Sequence, residues 1–106
     1  MPKYLVEASY TAEGLKGLLK EGGSSRRAAI ESAAKALGGS VESFYFVFGE
    51  DDVIVLLDLP DNTTAAAFSL AVAAAGGATT GVRVLITPEE IDKATKKTVE
   101  YRAPGR

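Results

Sequence analysis

The feature that most constrains the fold is a pair of apolar segments separated by a short turn. Residues 41–48 and 53–59 are rich in aromatic and β-branched side chains, which favour β-strands. The four residues between them, Gly-Glu-Asp-Asp at 49–52, are of the types that form turns. The sequence therefore predicts an antiparallel hairpin in the middle of the chain.

Helical and strand patterns alternate on both sides of this hairpin. Residues 3–10 and 81–86 are predicted to be strands. A helix opening at 11–13 is interrupted by the glycines at 22–23 and resumes with Ser24 and Ser25 as its expected cap. An alanine-rich helix is predicted next, capped by Asp61 or Asn62. Thr87, Pro88 and Glu90 then form a helix start, and the final helix has Ile91, Ala94 and Thr98 on one side.

The order of these elements is β-α-β-β-α-β followed by a terminal helix, with the first helix in two parts. This order predicts an α+β protein of the ferredoxin-like split βαβ type, with a four-stranded antiparallel sheet and helices on one face. A chain of 106 residues has the size of one domain. We expect residues 1–100 to form its core and 101–106 a flexible tail.

Strand alternation divides the side chains between two faces of this sheet. One face is uniformly apolar and is expected to lie under the helices: Tyr4, Val6, Ala8, Phe44, Phe46, Phe48, Val53, Val55, Leu57, Leu59, Val82, Val84 and Ile86. The other face collects Leu5, Glu7, Ser9, Tyr45, Val47, Ile54, Leu56, Asp58, Arg83 and Leu85. Roughly half of this second set is large and apolar, whereas polar residues should dominate a solvated face. The sequence therefore predicts a homodimer in which two sheets pack face to face and enclose a shared interior, forming an α+β barrel.

The composition excludes several classes of function. The chain has no cysteine and no histidine, which removes thiolate nucleophiles, disulfides and the commonest metal and haem ligands. Twelve basic and fourteen acidic residues give a net charge of −2, which argues against a nucleic-acid or anionic-membrane partner. No metal or cofactor is predicted. No apolar run resembles a signal peptide or a membrane span, so a cytoplasmic protein is expected.

Three segments resemble the GYD-domain family: GLLKEGGSSRR at 17–27, GSVESFYFVFGE at 39–50 and LPDN at 59–62. The family's motif is Gly-X-Tyr-Asp after the second strand. Gly49 and Asp52 match it, while Asp51 stands where the family carries tyrosine. The resemblance implies a dimeric α+β barrel. Such barrels include cofactor-light monooxygenases, haem-handling proteins and stress-induced modules, so the fold does not choose a function.

The first candidate site lies on the second face of the predicted sheet. In the split βαβ topology the first and fourth strands are antiparallel neighbours, which brings Glu7 and Arg83 together. The pair could anchor a ligand, with Tyr45 donating a hydroxyl hydrogen bond, or it could be an ion pair that fixes the register at a dimer interface. The second interpretation is the commoner one for such pairs. Lys3 and Asp58 admit the same two interpretations.

Two loops are further candidates. Residues 22–27 place two glycines, two serines, Arg26 and Arg27 at a helix start, where a phosphate or carboxylate could bind. A helix break with solvated arginines explains the same pattern and is favoured. The carboxylates at 50–52 could hold a hard cation, but an acidic hairpin tip is usually a solvated turn, and we predict no metal site there.

Three functions agree with the sequence. The first is a small dimeric module that binds an anionic or amphipathic organic molecule in its interior through Glu7, Tyr45, Arg83, Arg26 and Arg27. The second is a cofactor-independent monooxygenase or isomerase of the dimeric-barrel type, in which Glu7 would move a proton. The third is a purely structural or partner-binding module.

Overall fold

A computed structural model describes all residues, 1–106, and confirms the predicted fold class. The strands are β1 (Lys3–Tyr10), β2 (Ser40–Phe46), β3 (Val53–Asp58) and β4 (Ala78–Leu85). The helices are α1 (Ala12–Glu21), α2 (Gly23–Ala36), α3 (Asn62–Ala74) and α4 (Pro88–Thr95). The strands form one antiparallel sheet in the order β2-β3-β1-β4, which is the order of the ferredoxin-like fold.

The register of the sheet places β1 between β3 and β4. Glu7 lies opposite Ile54 on one side and Gly81 on the other. Tyr45 lies opposite Ile54, so a single row of residues crosses the sheet from β2 to β4. The register of the β2–β3 hairpin shifts between Val41 and Ser43, which allows the side chains at both Val41 and Phe44 to point towards the helices.

The hydrophobic core lies between the sheet and the helices α2 and α3. Its buried members come from one face of β1 and β3 and from the two helices: Tyr4, Val6, Ala34, Val53, Val55, Leu57, Leu59, Ala65 and Phe68. Six of these residues belong to the face that alternation predicted to be covered. The predicted assignment of the two faces is therefore correct for the central strands.

Four residues of that face are exposed, contrary to the prediction that the helices cover all of it. Phe46 ends β2 and Phe48 lies in the turn after it, so both project beyond the covered part of the sheet. Val84 and Ile86 lie at the end of β4 and just after it. Because β4 is an edge strand, these two side chains have a neighbouring strand on one side only.

The break between α1 and α2 depends on Gly22. Its φ of 86° lies in the left-handed region, which glycine adopts without steric strain. Helix α2 begins directly afterwards at Gly23 and has no side-chain cap. The prediction that Ser24 and Ser25 cap this helix is therefore wrong, since both lie within its first turn.

The C-terminal part of the chain extends away from the rest of the molecule. Helix α4 has the predicted capping box, in which Thr87 and Glu90 bond to each other's backbone N–H groups. It ends at Thr95, before Thr98, and has no buried residue. The chain measures 56 × 33 × 23 Å overall, which is elongated for its length. None of its helices has the length and apolar character needed to cross a membrane.

Candidate functional site

Glu7, Tyr45 and Arg83 lie on the sheet face that points away from the helices. Arg83 Nε is 3.2 Å from Glu7 Oε1, so the predicted ion pair forms. Tyr45 is exposed, and β3 lies between its strand and that of Glu7, which separates the two by about 10 Å at the usual strand spacing. Arg83 already binds the Glu7 carboxylate. The arrangement therefore favours an ion pair that fixes the register of the sheet over a role for Glu7 as a free base.

A second charged cluster lies at the other end of the same face. Lys3 Nζ is 2.8 Å from Asp58 Oδ1 and 2.6 Å from Glu42 Oε2. The hydrogen bond that Lys3 donates to Asp58, followed by the one that it donates to Glu42, raises the pKa of Lys3 above its ordinary value of 10.5. The predicted contact between Lys3 and Asp58 therefore forms, with a third member that the sequence analysis did not find. Two carboxylates share one ammonium group, so the cluster keeps one net negative charge and has no free cation for an anionic ligand.

The two adjacent arginines at the start of α2 point to different places. The Arg26 side chain lines the cavity between the helices, and its Nη1 lies 3.5 Å from Glu21 Oε2. Arg27 is exposed and borders a shallow depression beside Gly23, Phe44 and Phe46. The structure therefore does not bring both guanidinium groups to one site.

The acidic turn holds the hairpin against β1. Asp52 Oδ2 accepts a 2.8 Å hydrogen bond from the backbone N–H of Tyr10. Asp51 Oδ1 accepts a 3.2 Å hydrogen bond from the Ser9 hydroxyl. No group of carboxylates in the chain is arranged to hold a metal ion. Asp52 has a structural role here, and Asp51, at the position of the family's tyrosine, contacts the same strand.

A large cavity lies on the opposite, helical side of the sheet. It has a volume of about 640 Å³ and is open to solvent between α2 and α3, with α1 and the end of β1 closing one side. A smaller space of about 50 Å³ continues from it towards the core side of the sheet, next to Phe44 and Val55. Thirteen of the eighteen lining residues of the large cavity are hydrophobic, and Glu21 and Arg26 are its charged ones.

Alanines on two facing helices create this space. Helix α2 contributes Ala29 and Ala33, and α3 and the residue that follows it contribute Ala67, Ala71 and Ala75. Residues four apart lie on the same side of a helix, so each helix presents a row of methyl groups to the gap. A methyl group is too short to bridge two helices that rest side by side on a sheet. The spacing of the alanines is visible in the sequence, but of the predicted ligand-binding residues only Arg26 lines this cavity.

The cavity combines a large apolar surface with one cation at its wall. An apolar group that enters it gains roughly 25 cal/mol for each Å² removed from water. The Arg26 guanidinium can donate two parallel hydrogen bonds to a carboxylate or phosphate. Its only ionic partner, Glu21, is at a long distance and itself exposed, so a ligand's anionic group could replace it.

The fold and this cavity define a ferredoxin-like α+β protein whose sheet carries ion pairs beside apolar side chains on the face opposite the cavity. The family model of the GYD domain matches residues 4–95. The chain therefore belongs to the GYD domain family, as the motifs at 17–27 and 39–50 indicate. Neither a curated protein nor a solved structure matches it.

Proposed function

We propose that this GYD-domain protein binds a small organic molecule with an apolar body and an anionic head in the cavity between α2 and α3. The observation that carries the proposal is the cavity itself: its volume of about 640 Å³ lies within the range of small-molecule sites. The anionic head is assigned because Arg26 is the basic side chain of the lining. This places the site on the helical side of the sheet, away from Glu7, Tyr45 and Arg83.

A fluorescent fatty acid, 11-(dansylamino)undecanoic acid, tests this proposal. It has an apolar chain and a terminal carboxylate, and its fluorescence rises when it leaves water. Arg26→Gln should weaken binding about ten- to a hundredfold, which corresponds to a charged hydrogen bond of about 1.5–3 kcal/mol. Arg27→Gln is the matched control, because the same charge is removed one residue away and outside the cavity, and it should change the affinity less than twofold.

Two further measurements separate the apolar and the ionic parts of the site. Ala71→Trp places an indole in the cavity and should abolish binding while circular dichroism shows a folded chain. The alcohol analogue of the probe should bind the Arg26→Gln variant and the unaltered protein equally. The proposal is wrong if the probe does not saturate, or if Arg26→Gln and Arg27→Gln have equal effects.

We further propose that the protein is a homodimer whose two sheets face each other. Support comes from the outward face of the sheet, where Leu5, Ile54 and Leu56 form a partly exposed apolar surface in the middle of the sheet. In a monomer this surface would stay in contact with water at a cost that packing against a second copy removes. Light scattering should then give twice the chain mass of 11.0 kDa.

A pair of substitutions tests the location of this interface. Leu56→Glu places a charge on the outward face and should shift the protein towards the monomer. Leu70→Glu is the control, because Leu70 is an equally apolar and more exposed side chain on α3, outside the sheet. A monomeric mass for the unaltered protein at micromolar concentration, or equal effects of the two substitutions, would contradict this assembly.

A further inference from the structure

We infer that the C-terminal arm of one chain, residues 87–106, docks on the hairpin tip, residues 47–52, of a second copy. The inference rests on the homodimer proposed above and adds a second, separate contact to it. Three observations support it: largely exposed apolar side chains on the arm, opposite charges on residues 93–106 and on the tip, and the positions of arm and tip at opposite ends of the sheet.

The arm carries apolar side chains that are largely exposed in their own chain. Val99 and Tyr101 are 78% and 76% exposed, and Ile91 on α4 is about half exposed. Helix α4 has only eight residues, and an isolated helix of that length is unstable in water even with a good cap. A helix of this kind is expected to gain its stability from packing, yet α4 has no buried residue in its own chain.

The later part of the arm and the tip carry opposite charges. Residues 93–106 contain five lysine or arginine residues and one acidic residue, Glu100, whereas the arm's other acidic residues, Glu89, Glu90 and Asp92, precede them in α4. The hairpin tip contains three consecutive acidic residues at 50–52, and beside them Phe48 is fully exposed. Residues 93–106 and the tip thus each combine exposed apolar groups with an excess of one sign of charge, and the signs are opposite. Such pairs attract and orient two surfaces before they make contact.

The topology keeps the arm away from the tip of its own chain. Strand β4 ends opposite Lys3, and the arm starts there, whereas the tip bonds to Tyr10 at the other end of β1. Eight residues of strand separate the two ends by about 26 Å. In the proposed dimer, a twofold axis parallel to the two sheets and perpendicular to their strands would reverse the strand direction of one copy relative to the other. The arm of each chain would then lie at the same end of the paired sheets as the hairpin tip of its partner.

A charge-swap experiment on the full chain tests the docking. The arm variant carries Lys96→Glu and Lys97→Glu, and the tip variant carries Glu50→Lys and Asp51→Lys. Each variant alone pairs like charges at both arm–tip contacts of its dimer. We expect the dimer dissociation constant of each, measured by sedimentation at low ionic strength, to rise at least about tenfold.

Mixing the two variants restores opposite charges at both contacts of the mixed dimer. The dissociation constant of the mixture should therefore return to within about threefold of the original value. The control variant carries Lys16→Glu and Lys20→Glu on α1, which change the net charge as the arm variant does, and it should dimerise normally. Circular dichroism verifies that every variant is folded.

The outcomes separate this inference from the homodimer on which it rests. If the unaltered protein is a monomer, both proposals fail. If it is a dimer and the arm and tip variants dimerise as tightly as it does, or if mixing the two variants does not restore the affinity, only the arm docking is refuted. Weakening in both variants and recovery in the mixture support it.

Discussion

Gly14 is the position where one added methyl group should most disturb the frame of the cavity. A Cβ atom at this residue would lie 1.9 Å from the backbone oxygen of Gly77, in the loop that connects α3 to β4. The same loop accepts hydrogen bonds from Thr11: the N–H of Thr11 bonds to the Gly77 oxygen at 3.0 Å, and its hydroxyl to the Gly76 oxygen at 3.0 Å. Gly14→Ala must therefore push α1 and this loop apart.

The size of the effect follows from three terms. Moving a methyl group from 1.9 Å to an ordinary contact near 3.4 Å requires a backbone shift of about 1.5 Å, and overpacking of this kind costs about 1–3 kcal/mol. A shift of that size also breaks the Thr11 bonds, at about 1 kcal/mol each. The better helix propensity of alanine returns about 1 kcal/mol. We therefore expect Gly14→Ala to lower the free energy of unfolding by about 2–4 kcal/mol.

Urea unfolding followed by circular dichroism measures this difference, and Gly17→Ala is its matched control. Gly17 lies in the same helix, and a Cβ atom there would have no neighbour within 4 Å. That substitution should raise the free energy of unfolding by up to about 1 kcal/mol, since only the helix propensity changes. Equal stability of the two variants would refute the close approach of α1 to the α3–β4 loop.

Three further predictions concern the helix α3 and its surroundings. Asp61 caps α3, and the hydrogen bonds that its carboxylate accepts from the Thr64 hydroxyl and then from the Thr64 N–H lower its pKa below 3.8. The stability that this carboxylate contributes is therefore complete above pH 3.8 and is lost as the pH falls through the lowered pKa. The difference in unfolding free energy between the original protein and Asp61→Ala should vanish in acid. Tyr4→Phe removes a 2.7 Å hydrogen bond to Asn62 Oδ1 and should cost about 0.5–1.5 kcal/mol in the same unfolding assay. Ala71→Leu should raise the unfolding free energy and weaken binding of the dansylated fatty acid, measured on one preparation.

The parts of the fold that follow from local pattern were predictable from the sequence. The alternation in 53–59 places every second side chain in the core, and the short turn at 49–52 forces an antiparallel pairing. The capping box at Thr87 is likewise a local signal. The start of α2 was not predictable in this way, because the helix could have begun at Gly23 or at the residue after it.

The contacts at the candidate sites also differ in how far they can be predicted from the sequence. The contact between Glu7 and Arg83 follows from strand order and register, so the sequence predicts it once the topology is known. The place of Arg26 depends on the rotation of α2 about its axis, which the sequence does not show directly. Coverage at the ends of strands depends on how far a helix extends over the sheet, and this is why Phe48 and Val84 are exposed although they belong to the apolar face.

The alanine rows on α2 and α3 connect the composition of the chain to its proposed function. Larger side chains at Ala33, Ala67 or Ala71 would bury more apolar surface, and each buried methylene would add about 0.8 kcal/mol of stability. The cavity of about 640 Å³ is therefore space in which larger side chains could have added packing. Binding sites commonly reduce stability in this way, because the surface that a ligand needs cannot also be filled by the protein's own side chains. The chain has no histidine or cysteine, so in the proposed site Arg26 is the basic group that would select an anionic ligand.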